Sequence, residues 1–254
     1  MMLARRLIVC LDVRDGRVVK GVSFEGLRDV GDPVALAQRY EAEGADEICF
    51  LDISASLDGR GTLLDTVRRT AERLFVPLTV GGGVRTANDM AEVLRAGADK
   101  VSVNSSAVQR PELVTECAER FGSQCVVASI DARQEGNRWR VVTHGGKRPT
   151  ERDALEWAEE CARRGAGEIL LTSIAQDGAR SGYDLALTRA VASRVRIPVI
   201  ASGGAGNADH VVAAFAEAGA SAALVAGILH DGVTSVAALK DAMAQAGVRT
   251  REAA

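Results

Sequence analysis

The feature that most constrains this chain is an alternation. Eight short apolar runs recur along it, at 7–11, 47–51, 77–80, 100–103, 125–130, 168–171, 198–201 and 222–226. Each is nearly continuous in Val, Ile, Leu, Ala and Cys, the composition of a strand covered on both faces. Helical patterns lie between the runs. Over 63–71, Leu63, Leu64, Val67 and Ala71 share one face of a helix. Thr86 with Asp89 has the spacing of a capping box, and Pro111 suits a first helical turn. Four helix ends carry one signature, Gly44-Ala45-Asp46, Gly97-Ala98-Asp99, Gly165-Ala166-Gly167 and Gly219-Ala220-Ser221, each ahead of an even-numbered run.

Strict strand–helix alternation implies parallel strands joined by right-handed crossovers. Eight such units in 254 residues predict one (β/α)₈ barrel domain, which typically takes ~250 residues. The competing architecture is an open doubly wound sheet. It would usually carry an early GxGxxG turn, and none is present. The two halves also match, divided near 1–122 and 123–254. Val9-Cys10-Leu11-Asp12 resembles Ala128-Ser129-Ile130-Asp131, at an offset of 119 residues between the aspartates. Thr79-Val80-Gly81-Gly82-Gly83 resembles Ile200-Ala201-Ser202-Gly203-Gly204, at an offset of 121. A slowly drifting offset is what a duplicated half-barrel with small loop changes would show.

Composition narrows the function classes. There are 31 basic against 34 acidic residues, for a net charge of −3, without the clustered basic excess of a nucleic-acid or membrane-surface binder. The N-terminal apolar run is broken by Asp12, Arg14 and Asp15, so it reads as a first strand rather than a signal peptide. No apolar stretch is long enough to span a bilayer. Five cysteines without a CxxC pair, three of them inside apolar runs, fit a reducing cytoplasm. Three scattered histidines (His144, His210 and His230) give no metal-ligand spacing, and no cofactor motif is present.

Reacting groups of such a barrel sit where its strands end. The first run ends in Asp12 and the fifth, directly across the barrel, in Asp131. A lone Asp after a strand commonly caps a turn. Two at equivalent places in two halves make a general acid–base pair, one protonated while the other is ionised. The second run ends in Asp52-Ile53-Ser54-Ala55-Ser56, where Asp52 reads as a structural hydrogen-bonder or a third acid. The third and seventh runs end in Gly81-Gly82-Gly83 and Gly203-Gly204. The fourth ends in Asn104-Ser105-Ser106 and the eighth in Ala226-Gly227. Glycine turns let backbone N–H groups approach an anion, although glycine also marks tight turns. Two such pairs on opposite sides of one mouth predict an elongated substrate with a phosphate at each end.

These residues resemble the cyclase subunits of imidazole glycerol phosphate synthase, a barrel family of histidine biosynthesis. The likeness runs along almost the whole chain. It is carried by the stretch Cys10-Leu11-Asp12-Val13-Arg14-Asp15-Gly16-Arg17-Val18-Val19-Lys20-Gly21, by Phe24 with Leu27-Arg28-Asp29-Val30-Gly31-Asp32-Pro33, and by Phe50-Leu51-Asp52-Ile53. Further pieces are Asp99-Lys100-Val101-Ser102-Val103-Asn104, Gly165 through Ser173, Ser181-Gly182-Tyr183-Asp184 and the two glycine turns. The resemblance implies that ammonia attacks the ketone of the bisphosphorylated substrate PRFAR. Ring closure and cleavage then yield imidazole glycerol phosphate and AICAR. It implies Asp12 and Asp131 as the acid–base pair and Lys20, on a mobile loop after the first strand, as a substrate contact. Asp177 and Gly178 would hold the same substrate, and Gly83, Asn104, Ser105, Gly204, Ala226 and Gly227 its phosphates.

It further implies a glutaminase partner, docked at the N-terminal face as a heterodimer, whose ammonia passes through the barrel. Arg6, Glu47, Lys100 and Glu168, at the heads of the first, second, fourth and sixth runs, match the family's gate. A ring of surface ion pairs is the plainer reading of the same four. Asp99 and Gln124 are candidate partner contacts. The chain departs from the family's pattern at Ala175 and Ala179, where relatives carry polar residues, and at Gly227, where a Ser often donates to phosphate. The sister isomerase barrel shares the half-barrel repeat, the first Asp and both phosphate sites. The Lys20 segment, Asp131 and the charged ring favour the cyclase. A phosphometabolite-binding subunit without catalysis is the reading from another class, and the paired aspartates argue against it.

Overall fold

The computed structural model describes residues 4–22, 25–53 and 64–251. The readings that fall on Phe24, on Ser54 through Ser56 and on Leu63 lie outside the described residues.

Among those residues, eight parallel strands close on themselves. They are β1 (Arg6–Arg14), β4 (Glu47–Asp52), β5 (Leu78–Gly81), β6 (Lys100–Val103), β7 (Val126–Glu135), β10 (Glu168–Ser173), β11 (Val199–Ser202) and β12 (Ala222–Val225). Each pairs with the next, and β12 returns to pair with β1, Ile8 against Leu224. That pairing, with β7 on β10, excludes the open sheet. Helices cover the outside, among them α1 (Pro33–Ala42), α2 (Leu64–Ala71), α3 (Ala87–Arg95), α4 (Ser105–Gln109), α5 (Glu112–Phe121) and α6 (Ala154–Arg163). They continue as α7 (Leu185–Ala192), α8 (Ala208–Ala216), α9 (Gly227–His230) and α10 (Val236–Gln245).

Local chemistry explains the element ends. The expected capping box starts α3: Thr86 Oγ1 accepts from Asp89 N at 3.1 Å and the Asp89 carboxylate accepts from Thr86 N at 2.9 Å. Pro111 stands immediately ahead of α5 with helical backbone angles. Gly44, Gly97, Gly165 and Gly219, the four anticipated helix stops, all have positive φ. In the first half the aspartate of the signature has its own work. Asp46 accepts from Leu7 N and Asp99 from Leu78 N, both at 2.8 Å, tying each helix end to a neighbouring strand. Cys125 falls in a short 3₁₀ turn rather than in β7.

The strands alternate between two environments, which is why their runs are continuous. On β1, Leu7, Val9, Leu11 and Val13 pack outward against the helices, while Ile8 and Cys10 face the barrel interior. The inward set continues through Cys49, Val127, Leu170, Ile200, Ala222 and Leu224. The interior is therefore a packed apolar core with polar residues at both ends.

The half-barrel repeat extends further than the motifs. β1 pairs β4 with Val13 opposite Asp52, and β7 pairs β10 with Ala132 opposite Ser173, the same register shifted by 119 and 121 residues. One expectation is corrected here. The resemblance implies an inserted loop after the first strand, carrying Lys20. Both halves carry one, and both are antiparallel hairpins: β2 (Arg17–Val22) with β3 (Glu25–Gly31), and β8 (Arg138–Thr143) with β9 (Arg148–Asp153). Each hairpin is followed at once by an aspartate N-cap, Asp32 on α1 and Asp153 on α6. The second hairpin escapes a search for repeated motifs because Arg138-Trp139-Arg140 shares little with Arg17-Val18-Val19. Its turn signal, Gly145-Gly146, was there to be read.

Candidate active site

Because side chains alternate along a strand, residues two, four and six beyond an inward residue also face the interior. Arg6, Ile8, Cys10 and Asp12 form such a series on β1, and Val127, Ser129 and Asp131 on β7. Both aspartates thus reach the C-terminal mouth from strands on opposite sides of the ring. The mouth holds a cavity of about 530 Å³ lined by Asp12, Asp131, Lys20, Asn104, Asp177 and Arg180 among others. Its volume lies within the ordinary range of small-molecule sites. Gly83, Ser105, Gly178, Gly204, Ala226 and Gly227 line it too, so the structure brings every candidate catalytic and substrate residue to one place.

The two carboxyls sit in matched electrostatic settings. Burial, reinforced by the nearby Asp177 carboxylate, raises Asp12 to about 7. Burial raises Asp131 to about 7, against the opposing effect of the Asn104 amide and with help from Asp177. Asn104 Nδ2 donates to Asp131 Oδ2 at 2.9 Å, and Asn104 Oδ1 is buried with no hydrogen-bond partner. Asn104 therefore touches the Asp131 carboxyl directly and keeps an acceptor for a donor in the cavity. Burial also raises Asp177 itself. Three carboxyls deep in one apolar-floored cavity disfavour full ionisation, which suits proton transfer near neutrality.

The two glycine turns share a conformation as well as a spacing. Gly82 and Gly83 have φ of 101° and 69°, and Gly203 and Gly204 have 84° and 105°. A Cβ on Gly82 would meet the Asp52 carbonyl oxygen at 2.4 Å, and one on Gly204 the Gly182 carbonyl oxygen at 2.0 Å. Tight turning and close backbone approach therefore coincide at these positions, where only glycine fits. After the next strand of each half, Asn104 and Ala226 adopt nearly equal angles (φ −128°, ψ −92° and φ −136°, ψ −82°), and neither makes a side-chain cap. Ser105 Oγ accepts from His144 N at 2.9 Å, joining the second hairpin's turn to this rim.

Lys20 lies on β2, and its Nζ donates to the Gly227 carbonyl at 3.0 Å and pairs with Asp231. Burial, then the neighbouring Arg180 and Arg28 charges, lowers Lys20 to about 8. No sequence motif links Asp231, Arg28 and Arg180, which lie far apart along the chain. Nor does one link His230 to its partners. Its Nε2 donates to the Cys10 carbonyl at 3.0 Å, which leaves Nδ1 to accept from the Tyr40 hydroxyl at 2.7 Å. Burial lowers its titration to about 4, so the ring is neutral and fixes the backbone two residues before Asp12. Asp52 is buried beneath Gly82 and lines the cavity.

At the opposite end, the first residues of β1, β4, β6 and β10 form a closed ring. Arg6 pairs with Glu47 at 2.9 Å and with Glu168; Lys100 reaches Glu47 at 2.9 Å and Glu168 at 3.0 Å. Thr79 Oγ1 adds a hydrogen bond to Glu47 at 2.6 Å. Glu47 and Glu168 are buried, at 1% and 6% exposure. The four thus form the ring of ion pairs of the plainer reading, with both acids buried and both cations partly exposed. Just inside the ring lies a cavity of about 10 Å³ bounded by Ile8, Cys49, Val127, Leu170, Ile200 and Leu224 with Glu47 and Thr79. Asp99 and Gln124 are exposed on strand-entering segments of the same face, Gln124 within the 3₁₀ turn.

The cysteines are free thiols, all buried except the partly exposed Cys125. Burial pushes Cys161 up to about 12 and Cys117 up to about 11, which makes them poor nucleophiles. No cluster of His, Cys, Asp and Glu among the described residues has the arrangement of a metal site. No helix among them is long and apolar enough to cross a membrane.

Comparison with known proteins agrees along the length of the chain. Residues 6–235 match the family model described as histidine biosynthesis protein. The chain is 70% identical over 250 residues to the imidazole glycerol phosphate synthase subunit HisF of Myxococcus xanthus (strain DK1622), covering 98% of this chain and 99% of that protein. It is 60% identical over 250 residues, with the same coverage, to the subunit of that name from Hyphomonas neptunium (strain ATCC 15444).

Proposed function

The chain belongs to the histidine biosynthesis family and serves as its imidazole glycerol phosphate synthase cyclase subunit, and on that premise we propose that Asp12 and Asp131 are its acid–base pair. The observation that carries this is the pair itself. Two carboxyls reach one cavity from opposite strands, each raised to about 7. Near neutral pH each is therefore present in both its protonated and its ionised form, so the pair can supply an acid and a base. In the reaction, ammonia adds to the ketone of PRFAR. The ionised carboxylate takes a proton from the adding nitrogen while the protonated carboxyl gives one to the ketone oxygen, forming a carbinolamine; a second such exchange protonates its hydroxyl and deprotonates its nitrogen, so that water leaves and an imine forms. Ring closure and cleavage repeat the exchange of protons between the same two groups and release imidazole glycerol phosphate and AICAR.

The matched glycine turns hold the substrate. Gly83 with Asn104 and Ser105 takes one phosphate, and Gly204 with Ala226 and Gly227 the other, so the molecule lies across the two aspartates. Asp177, Gly178 and Lys20 close over it. Ammonia comes from a partner glutaminase subunit docked on the N-terminal face as a heterodimer, where Asp99 and Gln124 meet it. The Arg6–Glu47–Lys100–Glu168 ring is the gate it crosses. The apolar interior above supports this reading. The small cavity beside the ring approaches the ~10–15 Å³ that one water molecule needs, and ammonia is of similar size. The machinery uses no cofactor and works in the cytoplasm.

The test is turnover of PRFAR with excess ammonium, set beside aldose–ketose isomerisation of its precursor. PRFAR consumption is expected, with loss in Asp12→Asn and Asp131→Asn while substrate binding persists. Isomerisation alone, or full activity in either variant, would overturn the assignment.

A further inference from the structure

Three cations from three separate elements converge on a single carboxylate at the rim. Lys20 comes from β2, Arg28 from β3 and Arg180 from the segment after β10, and all three pair with Asp231, just beyond α9. Arg28 and Arg180 take no part in the function proposed above. Three positive charges against one negative leave a formal excess of two. That excess is unusual for a structural ion pair, where charges ordinarily balance, and it equals the charge of a phosphate monoester dianion.

The backbone around the cluster is shaped to admit it. Lys20 Nζ sits where a side chain at position 227 would go: a Cβ there would lie 2.8 Å from Nζ and 3.1 Å from Cε. Glycine at 227 thus makes room for the ammonium beside the end of the eighth barrel strand. Arg180 holds a φ of 57°, a left-handed conformation that disfavours any residue with a Cβ, and its guanidinium pairs with Asp231 at the rim. Lys20, Arg180 and Gly227 all line the cavity.

We propose that Lys20, Arg28 and Arg180 form one composite phosphate subsite at the end of β12, gathered there by the carboxylate of Asp231. The inference rests on the bisphosphate reading above and deepens it. The guanidiniums supply fork-like donors to phosphate oxygens, and the hairpin that carries Lys20 and Arg28 is drawn across the mouth by the same charge. Asp231 is a positioning residue: without its carboxylate the three cations repel one another and disperse. The subsite serves one end of the substrate only, because the other glycine turn lies across the barrel.

Each reaction product carries one of the two phosphates, which makes the subsite testable without turnover. Calorimetric binding of imidazole glycerol phosphate and of AICAR is measured for the wild type and for Arg28→Gln, Arg180→Gln, Arg180→Lys and Asp231→Asn. Arg180→Gln is expected to weaken one product by about tenfold while leaving the other within about twofold. Arg28→Gln and Asp231→Asn should weaken that same product, and Arg180→Lys should restore most of the loss. In ammonium-dependent turnover, KM for PRFAR should rise with kcat little changed. Equal loss for both products, no loss for either, a fall confined to kcat, or tighter binding in Asp231→Asn would overturn the inference. A wild type that binds both products but does not consume PRFAR would strike the cyclase chemistry instead and leave the subsite standing.

Discussion

At the scale of single residues, the protein holds two carboxyls where carboxyls are least comfortable. An exposed aspartate titrates near 3.9, whereas Asp12 and Asp131 titrate at about 7 through burial and the Asp177 charge. The consequence for stability has a definite sign. The folded values lie above the unfolded ones, so the native state binds the extra protons between about pH 4 and 7. That contribution is complete below pH 4 and is lost as pH rises through 7. Above pH 7 each ionised carboxyl costs the fold up to about 4 kcal/mol. Asp12→Asn or Asp131→Asn should therefore abolish turnover and yet stabilise the protein by a few kcal/mol at pH 8, with little difference at pH 4. Urea midpoints of wild type and variant at the two pH values check this; a difference independent of pH would contradict it. The same electrostatics set the pH–rate profile, which should be bell-shaped and centred near neutrality. Asp177→Asn removes the like charge that raises both groups, so its acid limb should move to lower pH. An unmoved limb would mean that Asp177 does not act on the pair through its charge.

At the scale of elements, most of what positions the mouth is local. The hairpins after β1 and β7 turn the chain back, and the aspartates that follow start the next helices. Asp32 accepts from Ala35 N at 2.9 Å, and Asp153 from Leu155 N and Glu156 N at 2.9 and 3.2 Å. Replacing either by Ala should cost about 1 kcal/mol. Since the two helices belong to different halves, the double variant should show the sum within a few tenths of a kcal/mol. Chemical denaturation of the three variants measures it, and strong non-additivity would mean that the caps act through a shared contact. The helices themselves were legible from pattern: the Thr86–Asp89 box, the glycine stops and the apolar face through Val67 each report a local preference. The second hairpin was not, because Arg138-Trp139-Arg140 ahead of Val141 and Val142 breaks the continuous apolar run by which the barrel strands read. It is a half-exposed antiparallel pair whose exposed residues gather at the start of β8 and along β9.

At the scale of the whole molecule, the barrel separates two chemistries along one axis. Arg6 and Asp12 belong to the same inward face of β1, six residues apart, which is about 20 Å of strand. A charged ring closes one end, acids and glycine turns furnish the other, and apolar side chains fill the length between. Glu47 and Glu168 are buried in the ring and depend on Arg6 and Lys100 for compensation. Lys100→Glu should therefore depress glutamine-dependent turnover in the complex with the glutaminase much more than ammonium-dependent turnover, which bypasses the ring. Equal loss in the two assays would remove the gate from the argument.

By itself the sequence determined the strand–helix alternation, the helix stops and caps, the two-half repeat, and the acids and glycines at the strand ends. All of these are encoded by neighbours within a few residues, through side-chain period and turn preference. The tertiary structure alone decided which acids share a cavity, how far burial raises them, and which distant cations surround Asp231. It also decided that His230 from the far end of the chain steadies the backbone beside Asp12. These depend on barrel closure, which brings residues about 200 positions apart into contact. Burial and long-range charge are properties of that closed volume, and no local stretch of sequence carries them.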